Sequence, residues 1–168
     1  MTEEQYRKFS EYFKANPRRA FLLRATVKIM TGFVFLAFCG ILLYLLMKRE
    51  FRVAYETVLV CGVGFFACSI LRYFIGAKRP YELYDIAPTL NRSKNGDSFP
   101  SRHVFSITMI TIAAARVCPV LAVVLGIMTV ILAALRIIGG VHFTRDVLFG
   151  AFLAVFWSLI GYWICYLI

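Results

Sequence analysis

The sequence predicts an all-α fold, a polytopic membrane bundle of about five transmembrane helices with an amphipathic interfacial helix at its N-terminus. Three observations carry this. Of the 168 residues, 61% are hydrophobic, well above the roughly 45–50% usual in soluble domains. The apolar residues fall into five runs, near 27–47, 53–71, 103–117, 120–138 and 147–168, and a membrane-crossing helix needs about 20 residues, with about 17 to 25 tolerated. The charges lie mostly between or beside those runs, and the net charge is +10. In this setting the excess of cations points to anionic headgroups or an anionic substrate rather than to nucleic acid.

Taken in order, residues 3–15 place Tyr6, Phe9 and Phe13 at helical spacing, with Arg7, Lys8, Glu11 and Lys14 mostly on other faces. This is the pattern of a helix lying on a membrane surface or of a solvated helical tail, and Asn16-Pro17 ends it. The expected division is 1–24 as the amphipathic segment and 25–168 as the membrane-embedded domain. Pro119 separates the third and fourth runs. Trp157, Tyr162, Trp163 and Tyr166 suit an interfacial belt near the end of the last one. The five cysteines (Cys39, Cys61, Cys68, Cys118 and Cys165) form no CxxC and no metal-ligand cluster with the two histidines. Within the second run, Glu56 is expected to pair with Arg52 one helical turn away.

Two polar connections interrupt the runs. The longer, 72–102, holds three of the five prolines and six basic residues. The shorter, Gly139 to Asp146, reads GGVHFTRD. An even number of crossings separates them, so both fall on one membrane face, with the N-terminus. Segment 81–99 is a candidate lid or headgroup selector, and Asp97 a candidate cap for the helix that follows.

That face gathers an unusual set of polar groups. Arg72 and Arg79 are two helical turns apart, with Lys78 adjacent. Ser101, Arg102 and His103 stand at the start of the third run, and Arg136 at the end of the fourth. His142 and Asp146 are four apart, within hydrogen-bond reach on a helix. Arginines in fork geometry, a hydroxyl and helix N-terminal amides suit a tetrahedral oxyanion such as phosphate. One histidine beside a carboxylate suits a nucleophile, and a second suits a general acid. No acidic cluster is present to hold magnesium, so no metal and no cofactor are expected.

The spacing Arg72, six residues, Arg79-Pro80; then Pro100-Ser101-Arg102-His103; then Arg136, five residues, His142, three residues, Asp146 resembles the three-part signature of the type 2 phosphatidic acid phosphatase family. That family shares its site with vanadium haloperoxidases. The resemblance implies a membrane-embedded, metal-independent hydrolase that acts on a lipid phosphomonoester or diphosphate through a phosphohistidine. The lipid phosphate and the bilayer would be its partners, and nucleic acid would not. His142 would be the nucleophile, Asp146 its orienting partner and His103 the acid for the leaving group. Arg72, Arg79, Ser101, Arg136 and the backbone amide of Arg102 would hold the phosphate, with Lys78 a further candidate contact.

Three positions depart from the signature: Arg72 stands for Lys, Arg102 for Gly and Leu135 for Ser. The family usually has six spans, and here the N-terminal helix stands where the first would be. A lipid phosphotransferase and a non-catalytic carrier of anionic lipid are the competing functions. The expected location is a bacterial cell membrane. Fifteen of the 19 Lys and Arg lie on the active face, which favours a cytoplasmic site by the positive-inside rule. Many bacterial relatives in the family instead work on the outer face.

Overall fold

The computed structural model describes residues 1–90 and 98–168. Asp97 and the rest of 91–97, the middle of the candidate lid segment 81–99, lie outside the described residues. What is described is helical: α1 (Glu3–Lys14), α2 (Pro17–Met47), α3 (Phe51–Ile75), the single turn α4 (Pro80–Leu83), α5 (Arg102–Ala115), α6 (Pro119–Ile138) and α7 (Thr144–Leu167).

Each boundary has a local cause. Thr2 caps α1 through a reciprocal capping box with Gln5. Asn16 caps α2, and Pro17 occupies its first turn, where a missing N–H costs nothing. Pro119 opens α6 in the same way. Gly140, at φ 74°, takes the left-handed turn after α6. That turn sends Val141 and His142 back beneath the start of α7.

Helices α2, α3, α6 and α7 are long and apolar enough to cross a membrane. The third expected span is shorter than the others. With 14 residues, α5 rises only about 21 Å at 1.5 Å per residue, against about 30 Å of hydrocarbon. It is also the most enclosed helix: Val104, Phe105, Ile107, Met109, Ala113 and Ala114 are all buried. Because α5 sits within the bundle, its length is set by the neighbours it packs against. By contrast, α2 runs ten residues further toward the N-terminus than its apolar stretch.

The bundle closes around α5. One apolar core joins α2, α5 and α6 through Val34, Ile41, Ile107, Leu125 and Leu132. A second joins α3, α5 and α7 through Val60, Cys68, Phe105, Met109 and Ala154. Gly150 of α7 lets α5 approach closely, since a Cβ there would stand 2.8 Å from the Ser101 carbonyl oxygen. At the end remote from His142, Glu56 accepts from Arg52 Nε at 3.1 Å, as its spacing suggests, and also from Arg116 Nη2 at 2.6 Å. The Arg116 contact ties the end of α5 to α3.

Two expectations about surface residues change. Trp157 does not stand in a lipid-facing belt: its indole N–H donates to the Val60 carbonyl at 3.0 Å. Tyr162 lies under the Arg116 guanidinium at 4.0 Å. Trp163 and Tyr166 do face outward. Helix α1 is docked on the protein. Tyr6 is 1% exposed, and Phe13 packs against the core. Phe9 stays on the outer side.

Candidate active site

The site forms where the N-terminal parts of α2, α5 and α7 meet the C-terminal parts of α3 and α6. A cavity of about 750 Å³ opens there. Its lining includes Arg24 and Lys28 of α2, Arg72 of α3, Arg79, Arg102 and His103 of α5, Arg136 of α6 and His142. Both histidines of the chain therefore reach one cavity, from segments 39 residues apart in sequence.

His142 sits on the short connection between α6 and α7, fully buried. Its Nε2 faces Arg136 Nη2 at 3.5 Å. Its Nδ1 faces Asp146 Oδ2 at 3.7 Å, longer than the hydrogen bond expected from their spacing. The reason is that Asp146 Oδ2 already serves two donors. It accepts from the Phe143 backbone N–H at 2.9 Å, which caps α7, and from the Ser98 hydroxyl. The carboxylate is thus fixed from both sides before it meets the imidazole. Burial pushes the His142 pKa down to about 4. The charges of Arg136 and Arg79 add to this, and Asp146 opposes it. The ring is held neutral at neutral pH, the form a nitrogen nucleophile needs.

The guanidinium groups are anchored through carbonyls. Arg72 Nη1 donates to the Pro100 carbonyl at 2.7 Å. Arg79 Nη1 lies 3.5 Å from the Val141 carbonyl. Ser101 is the N-cap residue of α5 and is fully buried. Its backbone N–H donates to the Asp146 carbonyl at 2.9 Å, and its hydroxyl is buried without a described partner. The free amides of the first turn of α5 and that hydroxyl suit an oxyanion. Arg102 carries its guanidinium 5.2 Å above the Phe65 ring. From there it reaches both the basic cavity and an apolar one of about 470 Å³, lined by residues such as Val34, Phe35, Phe38, Val58 and Phe66. Lys78 lies between α3 and α4, exposed and outside the cavity lining.

Several residues here were not singled out by sequence reasoning. Ser98 holds Asp146, and the only hint was a hydroxyl three residues before Ser101. Arg24 and Lys28, one helical turn apart on α2, line the cavity although they read as membrane-end cations. Tyr6 donates its hydroxyl to the His142 carbonyl at 3.1 Å and packs edge-on against Phe143 at 5.9 Å. Arg7 and Ser10 donate to the carbonyls of Tyr84 and Ala87. In this way α1 pins both loops that flank the site.

The model of the PAP2 superfamily matches residues 52–167. The chain belongs to the PAP2 superfamily. That match takes in all three motifs and every helix from α3 onward. Two solved structures share its fold. One is the crystal structure of Aquifex aeolicus LpxE, with TM-score 0.64 and 20% identity over 88% of this chain and 94% of that one. The other is the transmembrane PAP2 type phosphatidylglycerolphosphate phosphatase from Bacillus subtilis, with TM-score 0.64 and 20% identity over 95% and 91%. No curated protein sequence matches the chain. This PAP2 member is an integral membrane protein, built on the helical bundle that its apolar runs foretell.

Proposed function

We propose that this PAP2 protein is a lipid phosphate phosphatase that hydrolyses a lipid phosphomonoester or diphosphate through a phosphohistidine, without a metal ion. The observation that carries the reading is the shared cavity: His103, His142, Arg72, Arg79 and Arg136 converge from separate chain segments onto one space. The match to the family model and the phosphatase named in the Bacillus subtilis structure support the reaction class.

In this reading the phosphate sits among Arg72, Arg79, Arg136, the Ser101 hydroxyl and the first amides of α5. Guanidinium forks take the non-bridging oxygens in charge-assisted bonds, and they grow stronger as charge builds on those oxygens in the transition state. The His142 Nε2 lone pair attacks phosphorus. The phosphorus–oxygen bond to the leaving group, a lipid alcohol or lipid monophosphate, breaks, and His103, entering as the imidazolium, gives its proton to the departing oxygen. Water then attacks the phosphohistidine and gives a proton to His103. The phosphorus–nitrogen bond breaks, inorganic phosphate leaves, and His142 is neutral again. Asp146, held by Ser98 and the Phe143 amide, keeps the His142 ring oriented and favours the cationic state it passes through.

The division into 1–24 and 25–168 belongs to the same proposal, with 25–168 as the catalytic unit and the N-terminal segment as a brace that also brings Arg24 to the cavity. The charge bias supports a site on the cytoplasmic face of a bacterial membrane.

The test is phosphate release from phosphatidic acid, phosphatidylglycerol phosphate and a polyprenyl diphosphate by the purified protein in detergent. Release should persist in excess chelator and stop with vanadate. His142→Ala should lower it by about a thousand-fold or more. Full turnover by that variant would remove His142 from the mechanism, and loss on chelation would refute the metal-free reaction.

A further inference from the structure

The cavity carries more positive charge than one phosphate requires. Six cations line it: Arg24, Lys28, Arg72, Arg79, Arg102 and Arg136. Among the described residues, no carboxylate does. Arg72, Arg79 and Arg136 cluster with His142, through the contacts to Pro100, Val141 and the imidazole. Arg24 and Lys28 approach from a different wall, on α2. A cavity of about 750 Å³ matches a whole small-molecule ligand rather than a single phosphate, since such sites run about 300–1,000 Å³.

The arrangement along α2 is ordered. Arg24 and Lys28 are one turn apart, and Thr31 follows on the same side. Thr31 lines both the basic cavity and the apolar one, as do Arg102 and His103. Beyond it, Val34, Phe35 and Phe38 line the apolar cavity alone. At 1.5 Å per residue, Arg24 lies about 10 Å from Thr31 along the helix axis. One face of α2 therefore runs from paired cations, past the junction lined by Arg102 and His103, into apolar space. Arg24 is steadied by the Thr89 carbonyl at 3.5 Å. Both are exposed, so each can also meet surrounding headgroups, but they share a cavity with the proposed nucleophile.

We propose that Arg24 and Lys28 form a second anion subsite, which selects lipid phosphates whose headgroup carries a further anionic group. The inference rests on the phosphatase reading and narrows its substrate class. The second group can be the lipid-linked phosphate of a lipid diphosphate, which stays on the lipid when the terminal one is transferred, or a phosphodiester elsewhere in the headgroup, because both present oxyanions to the same pair of cations.

The experiment measures equilibrium binding to detergent-solubilised, full-length protein in the His142→Ala background, so that nothing turns over. The probes are a polyprenyl diphosphate, phosphatidylglycerol phosphate and phosphatidic acid. At least one of the first two should bind about tenfold or more tightly relative to phosphatidic acid. Adding Arg24→Gln and Lys28→Gln should collapse that ratio to below threefold. If only the diphosphate responds, the subsite reads an adjacent phosphate; if only phosphatidylglycerol phosphate responds, it reads a separated one. No initial preference, or a ratio that survives both substitutions, overturns the subsite. Phosphate release from none of the three by the unsubstituted protein, with the ratio behaving as expected, would refute the reaction and leave the subsite standing.

Discussion

His142 shows how burial and charge prepare one side chain for one task. Its pKa, pushed from 6.5 to about 4 by burial first, lies below the working range of most enzymes, so the neutral ring predominates above pH 4. The sign follows directly. As pH falls, the free enzyme keeps the proposed nucleophile neutral until about pH 4, where an ordinary histidine would lose that form near 6.5. In a profile of kcat/KM against pH, the acid limb due to the enzyme should therefore lie near 4, once the ionisation of the substrate phosphate is subtracted. A limb at 6.5 would mean that the ring is open to water. The same shift acts on stability. Between pH 6.5 and 4 the unfolded chain takes up a proton that the folded one refuses, so folding weakens as pH drops through that window. The motif spacing marked His142, Asp146, His103 and the arginines as candidates, because each motif is a short stretch of chain. It could not place Ser98, whose bond to Asp146 spans 48 positions, or explain why that bond leaves the His142–Asp146 contact at 3.7 Å.

At the scale of elements, α1 and α5 depart most from their sequence patterns, for one physical reason. Periodicity shows which face of a helix is apolar but not whether lipid or protein covers it. The apolar side of α1 looked suited to a membrane surface, yet Tyr6 and Phe13 pack on the protein and Tyr6 reaches the His142 carbonyl. Burial pushes the Tyr6 pKa up to about 12, so the hydroxyl stays a donor across the physiological range. Tyr6→Phe keeps the ring and removes only that bond. A net hydrogen bond contributes about 0.5–1.5 kcal/mol, so kcat should fall by about 3- to 10-fold with KM nearly unchanged, as steady-state kinetics will show. Loss of KM with kcat intact would mean that α1 serves binding instead. The seam between α5 and α7 is tested at Gly150. Gly150→Ala forces a methyl against the Ser101 backbone, and overpacking of this kind costs about 1–3 kcal/mol. Thermal unfolding should show a lower midpoint. Activity should fall by about tenfold or more, because the displaced residue sits at the phosphate end of α5.

Across the whole molecule, the bundle turns sequence distance into proximity at one end of the membrane. The apolar runs made this legible, since four of them are long enough to span and their order alone puts both polar connections on one face. The pairing of cavities was not legible. A basic pocket joined to an apolar one through Thr31, Arg102 and His103 depends on how α2 leans on α3 and α5, which no local pattern encodes. The far end is closed by Glu56 between Arg52 and Arg116, a lock that draws on residues 60 positions apart. The account as a whole depends on His142 receiving the phosphoryl group. Rapid quenching of the purified protein with lipid phosphate labelled on phosphorus, followed by peptide mass spectrometry, tests this most directly. The account predicts an acid-labile, base-stable phosphoryl group on His142 that is absent from His142→Ala. Phosphate release at full rate with no adduct at that residue, or with the label on another side chain, would contradict it.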